Sequence, residues 1–105
     1  MYLHEQLLEI CKNVEIINES DIISLNGKII NACENYYKSR LHVGMSRKEA
    51  KSIFDKTFNL FDLFVMTAIK SNEPLLVAIG KMYKDNNFKS MFLKTDELAK
   101  LYNSL

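Results

Sequence analysis

The sequence predicts an all-α domain, a compact bundle of four to five helices around a long central helix at about residues 46–71. Three observations lead there. Apolar residues recur at three- and four-residue intervals along most of the chain, the spacing of one helix face. A single Pro and three Gly in 105 residues leave little of the turn chemistry that an all-β chain needs. The stretch from Ser46 to Ser71 is apolar over about half its circumference, wider than the roughly 100° stripe of a helix that covers a core from one side. Such a helix must meet more than one neighbour.

The first helix is expected over residues 2–18. Leu3, Leu7, Ile10, Cys11, Val14 and Ile17 share a face, Glu5, Glu9 and Lys12 point away, and Ile16 lies off the face. Glu19, Ser20 and Asp21 then read as a turn, from which Ser20 or Asp21 can cap a second helix. That helix is expected over 22–41, with Ile22, Leu25, Ile29, Ile30, Cys33, Tyr36 and Tyr37 inward and Ile23 at the border. Gly27 falls on its outer side, where glycine costs up to about 1 kcal/mol relative to alanine. It signals a kink or the close approach of another backbone. Residues 42–45 form the next loop, with Gly44 supplying backbone freedom.

The long helix opens on Ser46-Arg47-Lys48-Glu49, the pattern of a capping box. Ile53, Phe54, Phe58, Leu60, Phe61, Phe64, Val65, Ala68 and Ile69 fill its inward arc. Thr57 lies among them, where its hydroxyl can bond the carbonyl four residues back. Pro74 cannot continue the helix. Beyond it, Leu75, Ala78, Ile79, Met82 and Tyr83 give a fourth helix ending near Lys84. A fifth is expected over 88–104, burying Phe88, Met91, Phe92, Leu98, Ala99, Leu101 and Tyr102, either continuous or broken at Thr95. The first three helices are expected to pack antiparallel, with the fourth and fifth closing over the long one.

Residues 1–105 read as a single domain, long enough to bury more than about 60% of the unfolded surface in one core. A net charge of +1 excludes a general field that would draw the whole molecule to nucleic acid or to an anionic membrane. Residues 1–12 carry two Glu and no long apolar run, unlike a secretory signal. No stretch approaches about 18 uninterrupted apolar residues, so no membrane span is expected and the expected compartment is the cytoplasm. Cys11 and Cys33 fall on inward faces and read as buried free thiols rather than a disulfide.

Nothing in the chain spells catalysis. Zinc-ligand spacings, a nucleophile beside a base and a glycine-rich phosphate loop are all missing from the sequence. Asp55 and Asp62 share a helix face, but Lys51 and Lys56 accompany them, as on an ordinary solvated surface. Four of the five tyrosines, Tyr36, Tyr37, Tyr83 and Tyr102, suit the border of a small core. The chain is therefore expected to be no enzyme and to need no cofactor or metal.

What remains is charge placement. Lys38, Arg40, His42, Arg47, Lys48 and Lys51 fall within fourteen residues, opposed only by Glu49. Glu5, Glu9, Glu15, Glu19 and Asp21 are opposed only by Lys12. Arg47 and Lys48 also occupy the first turn of a helix, where positive charge opposes the macrodipole by a few tenths of a kcal/mol. Leu63 and Met66 form a small apolar pair on the otherwise polar arc of the long helix. The expected function is a small protein-binding module, an inhibitor, immunity-type or assembly and regulatory factor, whose partner is another protein meeting residues 38–51. The alternatives are a nucleic-acid-associated regulator using the same basic corner, and a self-associating subunit that meets copies of itself through Leu63 and Met66. With two Arg and no aromatic among the basic residues, nucleic acid is the less favoured partner.

Overall fold

The computed structural model of the chain describes residues 2–85. These residues form four helices: α1 (Leu3–Lys12), α2 (Glu19–Lys38), α3 (Arg47–Ile69) and α4 (Pro74–Asp85). Among the described residues there is no strand. The fifth helix expected over 88–104 lies outside them.

α1 is shorter than its apolar periodicity suggests. It stops at Lys12 rather than running to Asn18, and residues 14–17 are not helical. Local hydrogen bonding decides this. The Asn13 side chain donates to the Glu9 carbonyl at 3.1 Å, as does its backbone N–H at 3.3 Å, closing the last turn. Val14, Ile16 and Ile17 follow, and β-branched residues gain little from continuing a helix. Asn18 then competes for the backbone as the N-cap of α2, in place of Ser20 or Asp21. Its side-chain oxygen accepts the Asp21 N–H at 3.2 Å, and the Asp21 carboxylate accepts the Asn18 N–H at 3.1 Å and the Ile17 N–H at 2.9 Å. This reciprocal box starts α2 one turn earlier than expected. Ile17, expected on the core face, is 77% exposed as a result.

α2 buries Leu25, Ile29, Ala32, Cys33 and Tyr37. α3 begins where the capping signal places it. The Ser46 hydroxyl accepts the Glu49 N–H at 3.1 Å and donates to the Glu49 carboxylate at 3.0 Å. Thr57 is buried and donates to the Ile53 carbonyl at 2.8 Å, which explains how a hydroxyl sits within an apolar arc.

α3 meets all three other helices. Tyr37 of α2 packs on Phe54 with ring centres 5.0 Å apart. α4 runs back along α3: Gly80 abuts Ala68 and Ile69, and Tyr83 reaches Phe61 and Phe64 at 5.3 and 6.2 Å in edge-on contacts. The buried face of α4 is Leu76, Ile79, Gly80 and Tyr83, rotated from the expected one, so Leu75 is 38% exposed and Ala78 is also exposed. Gly80 is part of the face that is buried. A Cβ there would lie 2.8 Å from Ile69 Cγ1 and 3.0 Å from the Ile69 backbone nitrogen, so only glycine admits this approach. The Tyr83 hydroxyl donates to Asn26 Oδ1 at 3.0 Å, tying α4 to α2.

Cys11 and Cys33 are buried free thiols. Desolvation pushes Cys11 up to about 11. Cys33 is pushed up to about 12, first by desolvation and then by the Glu34 carboxylate. Both are held as neutral apolar filler at physiological pH. No helix among the described residues is long and apolar enough to cross a membrane.

Candidate functional site

The basic residues surround the turn from α2 to α3. Arg40 is held in place. Its guanidinium lies 3.6 Å from the centre of the Tyr36 ring, and Nη1 donates to the Tyr36 carbonyl at 3.0 Å and to Ser39 Oγ at 3.1 Å. A cation is well suited to the open carbonyls that end a helix. Lys38 pairs with Glu34 at 3.7 Å. Both residues thus have structural work at the end of α2. Arg47, Lys48 and Lys51 stand exposed on the first turns of α3.

The turn itself is well built. The Met45 N–H donates to the His42 carbonyl at 3.3 Å, and Gly44 adopts φ 89°. A positive φ at the third position is the mark of a glycine-containing tight turn. His42 Nδ1 lies 3.1 Å from the Val43 carbonyl. On one side Leu41 is half-buried against the core, its N–H donating to the Tyr37 carbonyl at 3.1 Å, and on the other Met45 is half-buried. Between these anchors Val43 projects, fully exposed. The sequence reading missed Val43, because an apolar residue in a short loop carries no periodic signal. The positive φ of Gly44 is what turns it outward.

Leu63 and Met66 are 46% and 45% exposed on the outer side of α3. Leu63 lies about 18 Å along the helix axis from Lys51. The eight candidate residues therefore form two surfaces: a basic corner with an apolar tip, and a separate, half-exposed pair.

A groove not foreseen from the sequence opens between α1 and α2. It has a volume of about 280 Å³ and is lined by Gln6, Glu9, Ile10, Asn13, Val14 and Lys28. A second hollow of about 140 Å³ shares Asn13, Val14 and Lys28 and adds Glu15 and Asp21. Asn13 and Val14, just past the end of α1, line both. Among the described residues, no group of three or more His, Cys, Asp or Glu side chains could hold a metal ion. Asp55 and Asp62 are exposed. Compared with protein-family models, with curated proteins and with solved structures, the chain matches none.

Proposed function

We propose that this chain is a cytoplasmic, non-enzymatic protein-binding module that meets its partner with the basic corner of residues 38–51, in the manner of an inhibitor, immunity-type or assembly factor. The supporting observation is the fully exposed Val43 at the tip of a hydrogen-bonded turn, flanked by Arg40, His42, Arg47 and Lys48. An exposed apolar tip with basic residues on either side in the chain suits an apolar hollow with an acidic rim, where desolvation of the tip and charge complementarity act together. Because the turn is already ordered, little conformational entropy is lost on docking.

The test is the double variant Arg47→Glu/Lys48→Glu used as bait in affinity capture from the native cell. Specific capture is expected to be lost. Thermal stability should change by less than about 0.5 kcal/mol, as for other exposed substitutions. Capture equal to that of the wild type rejects this surface. A mobility shift of DNA or RNA that vanishes steeply with salt would favour the nucleic-acid reading instead.

A further inference from the structure

The molecule carries a complement to its own basic corner. The groove between α1 and α2 has an apolar floor in Ile10 and Val14, and Glu9, Glu15 and Asp21 line it and the adjoining hollow. Among the described residues, Lys28 is the one cation lining these hollows, against three carboxylates. Val43 is a fully exposed aliphatic side chain, with Arg40, Arg47 and Lys48 near it in the chain. A tip and a hollow of matching chemistry thus occupy different parts of one chain. Lys28 and Lys38 are about 15 Å apart along α2, with the turn beyond, so the contact is one between copies.

The geometry points to head-to-tail self-association: Val43 of one copy enters the α1–α2 groove of a second copy, and Arg40, His42, Arg47 and Lys48 face Glu9, Glu15 and Asp21 of that copy. The occupant of the groove is therefore a second molecule of this chain. The inference rests on the basic corner being a protein-binding surface and names its partner. Such a contact is heterologous, since each copy offers a tip and a groove, and it leaves both ends open for further copies. One aliphatic side chain and a rim of charges fall far short of a standard interface of about 1,600 Å², so association is expected to be weak, from about 10 µM upward. It should also be screened by salt, because the rim charges are exposed.

Sedimentation velocity of the full chain tests this. At about 0.05 M salt the mean sedimentation coefficient should rise with concentration, and at about 0.5 M salt the rise should largely disappear. Val43→Asp removes the tip, and Glu9→Lys/Glu15→Lys reverses the groove. All three residues are exposed, and unchanged melting curves will verify that both variants fold. Each variant alone should associate at least about tenfold more weakly than the wild type. Mixed together, they should form a one-to-one pair and nothing larger, because one retains the only intact groove and the other the only intact tip.

Three results would each overturn the proposal: a wild-type monomer throughout, association indifferent to Val43→Asp, or a mixture that stays monomeric. A symmetric dimer through Leu63 and Met66 would give the second of these. The broader binding reading is judged separately. If self-association is absent but Arg47→Glu/Lys48→Glu still abolishes specific capture, the basic corner stands and its partner is a different protein.

Discussion

The two sides of the bundle handle glycine in opposite ways. At the α3–α4 seam, Gly80 is buried, and a methyl group there would strike both the backbone and the side chain of Ile69. On α2, Gly27 is exposed in mid-helix, and a methyl group would meet nothing within 4 Å. The first glycine sets a packing distance. The second loosens a helix beside an open groove and serves no contact among the described residues. One side is closed by shape, and the other carries the groove and the hollow beside it.

Substitutions can break this contrast, and the largest effect belongs to the closed side. Phe64 is fully buried and touches the rings of Phe61 and Tyr83. Phe64→Ala should cost about 3–5 kcal/mol in chemical denaturation, because both the transfer energy and the cavity act against the folded state. Gly80→Ala is next, at about 1–3 kcal/mol, since Ile69 and the helix backbone must move apart to admit a methyl group. Gly27→Ala should have the smallest effect and the opposite sign, a gain of about 0.5–1 kcal/mol from helix propensity. A loss at Gly27 would mean that another backbone does approach this position, as its mid-helix placement first suggests.

Much of the closed side could be read from the residues. The inward arc of α3, the Ser46 cap and the back-bonding of Thr57 follow from periodicity and side-chain chemistry, and the folded chain has them. The face of α4 could not be read this way. Leu75 and Leu76 are adjacent in a segment apolar over a wide arc, so periodicity does not choose between them. The buried face includes Gly80, whose contact with Ile69 is made only in three dimensions. The open side was less legible still. The apolar spacing continues past Asn13 as if α1 did, yet the Asn13 bond to Glu9 and the Asn18–Asp21 box end one helix and start the next. The groove lies beside that break. The basic residues were visible as a run of charge, but the pinning of Arg40 on Tyr36 and the exposure of Val43 depend on the path of the turn.

The seam also has a kinetic consequence. Only residues 70–73 separate α3 from α4, whereas α1 reaches α3 across the 34 residues from 13 to 46. Closure entropy grows with the logarithm of loop length, so the second closure costs about 2 kcal/mol more than the first. The α3–α4 hairpin is the natural folding nucleus, and α1 adds its contacts later. Stopped-flow measurements should find that Gly80→Ala mainly slows refolding. Leu7→Ala, at a fully buried position on α1, should mainly hasten unfolding.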